Sequence, residues 1–242
     1  MLDINIERTA PPVEVIRRAV CCTFLSFRAK SRNLYIFVFM TSHITNIPIE
    51  KHPLEPFLPE GARILMLGSF PPKQEKWSME FFYPNFINDM WRIMGLIFFN
   101  DRDHFVAEDS AGRKVRRFDR DRCAAFAAEK GIAMYDTACE VRRLKDNASD
   151  KFLEVVTPTD LMGLLERIPS CKAIVTTGQK ATDVIIETFG CEEPAVGECT
   201  DFQTGDRTMR LWRMPSSSRA YPLSLEKKAE FYRKMFDKEV RF

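Results

Sequence analysis

Short apolar runs and amphipathic segments alternate along the chain from about residue 41 onwards. Apolar runs of strand length occur at 63–67, 132–135, 173–177 and 209–214, and segments of helical length separate them. Strands that alternate with helices favour right-handed crossover connections, which produce a parallel sheet covered by helices on both faces. The pattern therefore predicts an α/β fold built on these four strands.

The segments between the strands have helical periodicity. Helices are predicted over 86–99, 123–130, 159–167, 179–189 and 225–236. In the first of them, Met90 and Met94 belong to an apolar stripe with steps of three to four residues, which is typical of one buried face. Thr159 and Ser224 precede their helices as N-caps, and Gly190 follows its helix as a stop.

The length of the chain fits one substantial domain. It has 242 residues, of which 45% are hydrophobic, and a single core keeps growing to roughly 250 residues. Residues 1–40 break the regular pattern: apolar pieces at 19–27 and 34–40 flank the polar RAKSRN, and no signal-peptide cleavage site follows cleanly. We expect residues 1–40 to be an N-terminal extension outside the fold, such as upstream sequence before a natural start at Met40, and residues 41–242 to form a single domain.

Charge and cysteine usage narrow the classes of function. The net charge is only +2, so affinity for DNA has to come from local patches. No apolar run reaches the roughly 18 residues that cross a bilayer, so we expect a soluble protein without a membrane partner. The seven cysteines, at 21, 22, 123, 139, 171, 191 and 199, include no C-x-x-C pair and no Cys/His cluster. This favours a cytoplasmic protein with free thiols and argues against zinc, an iron–sulfur cluster or another metal.

Two proline-containing turns end apolar strands about 145 residues apart. The first is RILMLGSFPP at 63–72, and the second is MRLWRMPSSSRA at 209–220. Open α/β sheets bind ligands beyond the carboxyl ends of their strands, so two rigid loops at one edge predict a cleft for a phosphate-bearing substrate. His43, His52 and His104 all lie outside these turns, so we do not expect a histidine-based catalytic dyad.

Aromatic, amide and acidic residues follow the first turn in FFYPNFINDMWRIMG, residues 81–95. At the mouth of a cleft, such rings can sandwich a flat base and such polar groups can bind a water. The alternative is ordinary loop packing followed by the exposed first turn of a helix. Asp136 ends the second predicted strand, where a carboxylate either holds a water in the cleft or caps the following turn.

The second turn offers serine hydroxyls, backbone N–H groups and one guanidinium ahead of a helix. Such groups contact DNA phosphates without reading sequence, although triple serine is also ordinary loop chemistry. A separate basic run, RKVRRFDRDR at 113–122, either follows a phosphate backbone or forms a solvated face.

Five segments together resemble the uracil-DNA glycosylase superfamily, and most closely its hypoxanthine-DNA glycosylase-like branch. In family order over about residues 60–236 they are LMLGSFPP, NDMWRIMG, GIAMYDTACEVRRLKDNASD, AIVTTGQKA and MPSSSRAYPLSLEKKAEFY. The resemblance implies a three-layer αβα sandwich with a central four-stranded, mainly parallel sheet. It also implies a monofunctional DNA glycosylase of base-excision repair, which flips a deaminated base out of DNA and hydrolyses its N-glycosidic bond. We expect it to act on DNA as a monomer without a cofactor.

The resemblance implies three groups of site residues. Those that line the base pocket, stack on the base or read its edge are Gly68, Ser69, Phe70, Phe82, Tyr83 and Thr177, with Thr176 as the alternative to Thr177. Those that act on water are Asn88 as first choice, then Asp89 and Asp136. Those that grip DNA phosphates and push into the minor groove are Pro215, Ser216, Ser217, Ser218 and Arg219, the last either as a wedge or as a phosphate partner.

Phe70 departs from the family pattern. It stands where relatives most commonly have a catalytic Asp or Asn, and a phenyl ring cannot activate water. Either Asn88, Asp89 or Asp136 performs that task, or the protein is a catalytically silent DNA-binding module on the same fold. A weaker alternative is a hydrolase of free nucleosides or nucleotides. The excised base stays open among uracil, hypoxanthine and other deaminated bases.

Overall fold

The computed structural model describes residues 47–145 and 152–240, and it gives this part of the chain ten strands and five helices. In chain order the strands are β1 (Ile49–Lys51), β2 (Ile64–Gly68), β3 (Val106–Glu108), β4 (Lys114–Phe118), β5 (Ile132–Asp136), β6 (Ala138–Arg143), β7 (Leu153–Pro158), β8 (Ala173–Thr176), β9 (Cys199–Thr204) and β10 (Arg207–Arg213). The helices are α1 (Met90–Phe99), α2 (Arg120–Glu129), α3 (Leu161–Arg167), α4 (Gln179–Phe189) and α5 (Leu225–Glu239). The predicted N-terminal extension lies outside the described residues, so the domain boundary stays a prediction.

A mixed five-stranded sheet forms the centre of the described fold. Its strand order is β5-β2-β8-β10-β9, in which the first four strands are parallel and β9 is antiparallel to β10. All four predicted strands are present, but the predicted count of four strands is one too low. The sequence CTDFQT of β9 is only partly buried. An edge strand of this kind lacks the continuous apolar run that marks a buried parallel strand, which is why it escaped prediction.

The register of the parallel strands brings their carboxyl ends together. Gly68 at the end of β2 pairs with Asp136 at the end of β5, and Leu67 pairs with Thr176 at the end of β8. Because these strands are parallel and adjacent, the residues that follow them emerge side by side at one edge of the sheet.

Two smaller antiparallel sheets complete the described strands. One has the order β1-β6-β7, and the other is the β3-β4 hairpin. The pairing of β1 with β6 continues past the end of β1, where the His52 N–H donates to the Cys139 carbonyl at 2.8 Å. The short N-terminal strand therefore carries His52 to the central sheet, since β6 begins two residues after β5 ends.

Local hydrogen bonds explain where helix α1 begins. The helix was predicted from residue 86, but it begins at Met90 because the preceding segment forms turns. Asn85 Oδ1 accepts from the Ile87 N–H at 3.0 Å, and Asn88 Oδ1 accepts from the Met90 N–H at 2.9 Å. Such side-chain bonds to the backbone compete with the helical pattern.

The ends of the other helices test the predicted caps. Gly190 ends α4 in the left-handed conformation with φ of 64°, as predicted, and Ser224 Oγ caps α5 by accepting from the Lys227 N–H at 3.2 Å. The predicted cap of α3 is wrong. Asp160 Oδ1 accepts from the Gly163 N–H at 3.0 Å, whereas the Thr159 hydroxyl donates to the Asp136 carbonyl at 2.7 Å. Thr159 thus supports the end of β5 instead.

Helices α1 and α5 pack against each other over the core. Phe98 of α1 and Phe236 of α5 make an edge-on ring contact with centroids 5.2 Å apart. Trp91 is fully buried, and its indole N–H donates to the Phe82 carbonyl at 3.0 Å. None of the five helices in the described ranges is long and apolar enough to span a membrane.

Candidate functional site

A cavity of about 440 Å³ opens at the carboxyl ends of β5, β2 and β8. The residues that line it include Gly68–Pro72, Phe82–Asn85, Asn88, Asp136, Thr177 and Ser216–Ala220. The structure therefore brings the two proline-containing turns, the aromatic and amide segment, and the ends of two further strands to one place. Almost all of the site residues predicted from sequence lie on this cavity.

Gly68 and Asp136 are in close contact at the floor of the cavity. A Cβ atom added to residue 68 would lie 2.4 Å from Asp136 Oδ1, so the carboxylate occupies the space that any side chain there would need. Glycine is required by this close approach. The backbone around both residues is held by the Thr137 N–H, which donates to the Gly68 carbonyl at 2.9 Å, and by the Thr159 hydroxyl on the Asp136 carbonyl.

His52 contacts Asp136 and is not among the residues that line the cavity. Its Nε2 lies 2.9 Å from Asp136 Oδ2, and the histidine side chain is only 2% exposed. The imidazole packs against three rings: Tyr135 at 4.6 Å, Phe70 at 5.4 Å and Phe82 at 6.4 Å between centroids. A histidine-based catalytic dyad was not expected from the sequence; the structure shows the contact between His52 and Asp136, and its catalytic use stays a proposal. Sequence reasoning missed His52 because it is 84 residues from its partner and outside both turns.

Thr177 reaches the cavity, whereas Thr176 does not. Thr176 is fully buried, and its Oγ1 lies 2.7 Å from the Thr182 hydroxyl and donates to the Trp212 carbonyl at 3.1 Å. Thr177 Oγ1 lies 3.2 Å from the Tyr83 hydroxyl on the cavity wall. Burial raises the pKa of Tyr83, so this hydroxyl keeps its proton at neutral pH and remains a hydrogen-bond donor.

Three aromatic residues line the cavity in different ways. Tyr83 has a φ of 52°, in the left-handed region that a bulky residue rarely adopts, and its ring is partly exposed. Phe82 is only 5% exposed and packs mainly into the core. Phe70 lies between His52 and Arg143, whose guanidinium is 5.9 Å from the phenyl centroid. Tyr83 is thus the better placed of the two predicted stacking rings.

Asn88 and Asp89 are neighbours in sequence but face different surroundings. Asn88 lines the cavity, and its Oδ1 accepts from the first N–H of α1. Asp89 is 6% exposed and is not among the lining residues. Its Oδ2 accepts from Lys228 Nζ at 2.9 Å, and its Oδ1 accepts from Arg219 at 3.4 Å. Of the predicted catalytic residues, Asn88 and Asp136 reach the cavity, whereas Asp89 is engaged in ion pairs.

The serine turn, residues 215–220, is held in place by contacts from Asp89, which precedes α1, and from Lys228 of α5. Lys228 of α5 is fully buried, and its Nζ donates both to Asp89 and, at 2.7 Å, to the Ser218 carbonyl. The Asp89 N–H donates to the Ser217 carbonyl at 2.9 Å. A buried ion pair therefore fixes the turn's backbone, and neither partner was recognised from sequence as having this role.

The exposed side of the serine turn has its own internal bonds. Ser216 Oγ accepts from the Ser218 N–H at 3.2 Å, which stabilises the bend of the turn. Ser217 is buried, and Pro215 is buried and does not line the cavity. The Arg219 side chain is 53% exposed at the cavity rim. Of the predicted DNA-binding residues, Pro215 and Ser217 are therefore buried, whereas Arg219 forms an exposed, positively charged edge.

Arg92 holds the segment that carries Asn88. It is 6% exposed and donates to the Phe86 carbonyl at 2.7 Å and to the Asn88 carbonyl at 3.3 Å. Its guanidinium also lies over the rings of Phe86 and Phe118, at 4.5 and 5.1 Å. Burial and the nearby Arg219 lower the pKa of Arg92. The guanidinium thus fixes the backbone around Asn88, which lines the cavity.

The basic run at 113–122 lies on the β3-β4 hairpin and the start of α2, and it does not line the cavity. Four of its basic side chains form ion pairs with nearby carboxylates: Arg113 with Asp109, Lys114 with Glu108, Arg120 with Asp121, and Arg122 with Asp119. Arg116 and Arg117 are exposed and form no ion pair within the described residues.

Across residues 47–145 and 152–240, no group of three His, Cys, Asp or Glu side chains could hold a metal ion.

No protein-family model matches the chain, and no curated protein matches it either. A solved structure does. It is the solution NMR structure of a "putative Uracil DNA glycosylase" from Methanosarcina acetivorans, with a TM-score of 0.50 and 21% sequence identity. The match covers 78% of this chain and 99% of that chain. At this identity the likeness shows the fold, a mixed α/β architecture shared with a structure of that description.

Proposed function

We propose that this chain is a monofunctional DNA glycosylase of the uracil-DNA glycosylase superfamily, within its hypoxanthine-DNA glycosylase-like branch. The observation that carries the proposal is the convergence of both proline-containing turns and Asp136 on one cavity. The shared fold with the glycosylase-named structure supports the superfamily. The five segments that resemble the family support the branch, and two of them supply the turns at the cavity.

The cavity suits a flipped base. Its volume of about 440 Å³ falls within the range of ligand pockets, and its walls combine aromatic rings with a few polar groups. The Tyr83 ring is placed to stack on the base. The Thr177 hydroxyl can donate to a base carbonyl or accept from a ring N–H, and uracil and hypoxanthine each offer both groups. A deaminated base in a weakened pair also costs less to flip.

Hydrolysis at this site requires a water beside the sugar. Asn88 orients that water. The water oxygen forms a bond to C1′ of the sugar while the C1′–N bond to the base breaks, and the electron pair of the broken bond stays on the base. The water gives up one proton, and the departing base finally gains one, so the net reaction adds one water across the bond. Holding the water in place matters because a misplacement of about 1 Å in a reacting group can cost about 10²-fold in rate.

The serine turn is proposed to bind the DNA backbone. Its Ser216 and Ser218 hydroxyls and the Arg219 guanidinium lie on the exposed side of a turn whose backbone Asp89 and Lys228 hold in place. Asp89 acts as a positioning residue for this turn through Lys228 and Arg219.

A second candidate function is a DNA-binding module without catalytic activity. It is favoured by Phe70, whose ring packs on His52 and offers no polar group where relatives have a catalytic one. The two candidates share the fold, the cavity and the DNA-binding turn, so they differ only in the chemistry at the floor of the cavity.

Cleavage of defined duplexes distinguishes the two candidates. The full chain is incubated with duplexes that contain uracil, hypoxanthine or another deaminated base, and abasic sites are revealed with alkali. The glycosylase is expected to give scission only after alkali, and Asp136→Asn is expected to reduce single-turnover cleavage by about 10²-fold or more. If no duplex is cut with any of these bases, the glycosylase proposal is wrong and the DNA-binding module without catalytic activity is favoured.

The same samples test the monofunctional mechanism. Lys76 reaches the rim of the cavity but is exposed, and a lysine nucleophile needs a desolvated amine. Borohydride is therefore expected to trap no covalent complex with DNA. Turnover of free nucleosides at a comparable rate would instead favour a nucleoside hydrolase.

A further inference from the structure

His52 and Asp136 form a hydrogen bond in which the donor can be assigned. An ionised carboxylate accepts hydrogen bonds and has no proton to donate, so His52 Nε2 must carry the proton that points to Oδ2. The other carboxylate oxygen, Oδ1, lies over Gly68 on the cavity floor. The two oxygens of one carboxylate thus have different surroundings: Oδ2 is held by the imidazole, and Oδ1 lies beside Gly68, which lines the cavity together with Asn88 and Thr177.

The turn after β1 supplies partners for the second ring nitrogen in both protonation states. Nδ1 lies 3.1 Å from the Leu54 backbone N–H, which donates to it when the imidazole is neutral. It also lies 2.8 Å from the Leu54 carbonyl, which accepts from it when the imidazole is protonated. The ring can therefore keep Nε2–H directed at Asp136 whether it carries one proton or two.

We infer that His52 is a positioning residue that holds the Asp136 carboxylate so that Oδ1 is directed towards the cavity, where it accepts the proton of the attacking water. The inference rests on the proposed function and identifies the group that replaces the polar residue missing at Phe70. In this step the water O–H bond breaks, its proton moves to Oδ1, and its oxygen bonds to C1′. The base leaves with the electrons of the C1′–N bond and later receives one proton. The Phe70 ring packs on the imidazole, with ring centroids 5.4 Å apart.

Other charged and titratable groups around the pair come from each neighbouring element. They are Tyr83 from the cavity wall, Tyr135 from β5, Cys139 and Arg143 from β6, Glu50 from β1 and Glu55 from the turn that follows it. Burial raises the pKa of both tyrosines, so neither loses its proton between pH 5 and 9. Arg143 binds Glu50 at 3.0 Å.

The rate of single-turnover cleavage tests the inference with His52→Leu and His52→Gln. Leu removes the donor, so the Asp136 carboxylate loses the hydrogen bond that fixes its orientation. We expect about a tenfold lower rate, the size expected when a hydrogen bond to a charged group is lost. Gln places an amide N–H near the position of Nε2 and is expected to restore most of the rate.

Two outcomes of these rate measurements would overturn the inference. One is a His52→Leu rate that equals that of the unchanged protein. The other is an equal loss in both variants, which is the result of a purely structural role. Glu55→Gln serves as the matched control. If it lowers the rate as much as His52→Leu does, the loss does not come from the imidazole.

A readout independent of activity separates this inference from the proposed function. In protein labelled with ¹⁵N at histidine, long-range proton–nitrogen spectra show which ring nitrogen of His52 carries the proton at neutral pH. We expect Nε2 to carry it, and Asp136→Leu to change the His52 signals without changing those of His104. A neutral ring protonated only at Nδ1 would overturn the assigned contact. If the spectra agree but no base is ever released, the pair exists and the proposed function fails.

Discussion

The floor and the rim of the cavity are held in place by different interactions. The floor is made by Gly68, Asp136 and Thr177, which follow three adjacent parallel strands whose backbone pairing fixes their positions. The rim is made by the serine turn and the segment before α1, which reach the cavity from loops and are fixed by the buried side chains Lys228 and Arg92. Ladder hydrogen bonds position the first region, and single charged groups position the second.

This difference suggests a division of labour. A floor fixed by the sheet suits chemistry, because reacting groups have to be held within a fraction of an ångström. A rim fixed by a few side chains suits DNA binding, because phosphate contacts orient a substrate and tolerate small adjustments. Substitutions that weaken the rim should therefore affect stability and binding, whereas those at the floor should affect the rate of base release.

The largest expected effect is the loss of the buried cation beneath the rim. Lys228→Met leaves the buried Asp89 carboxylate with only its longer contact to Arg219, which should lower the free energy of unfolding by about 3–5 kcal/mol. Urea unfolding at neutral pH measures the change. The double variant Asp89→Asn/Lys228→Met removes both charges and should recover part of the loss. A single variant within about 0.5 kcal/mol of the unchanged protein would show that the ion pair does not hold the rim.

An intermediate effect is expected where rim and floor meet, at Asn88. Asn88→Ala should lower single-turnover cleavage by about 10²-fold with DNA affinity nearly unchanged. It should also cost about 1 kcal/mol of stability because Asn88 caps the first N–H of α1. Asn88→Ser is the matched control, since serine is a good cap and cannot place a water as the longer amide does. An unchanged rate in the alanine variant would transfer water orientation to Asp136.

The smallest effect is expected at the exposed edge of the rim. Arg219→Ala should weaken DNA binding and reduce the slope of log affinity against log salt by about one, the amount for one lost phosphate contact. Arg116→Ala removes the same charge from the β3-β4 hairpin and serves as the control. Equal losses from both variants would mean that Arg219 acts only through net charge and that the rim has no special phosphate site.

The same comparison explains how much could be predicted from the sequence. The floor follows from strand ends, and continuous apolar runs predicted the strands that carry Gly68, Asp136 and Thr177. The edge strand β9 was missed because a half-exposed strand has no such run. Its absence from the prediction did not affect the site, since it lies beyond β10, away from the cavity strands.

The supports of the site were harder to foresee because each joins residues far apart in the chain. Lys228 is 139 residues from Asp89, and His52 is 84 residues from Asp136. For Lys228 a usable signal exists. It lies three residues after Leu225 and four before Tyr232, so a lysine sits on the apolar stripe of α5, and a charge in that position calls for a buried partner. His52 has no comparable local signal.

His52 lies in the turn after β1, and this position limits how far the N-terminal part of the protein can be shortened. All five segments that resemble the family begin at or after Leu65, so trimming guided by motifs alone would start the protein near the first turn. Such a fragment would keep every recognisable signature. It would lose the imidazole beside Asp136 and the backbone bridge from Phe57 to Met134 of β5. Residues 47–58, ahead of β2, would then decide between a working and an inert minimal protein, and fragments beginning at residue 47 and at residue 59 make that choice measurable.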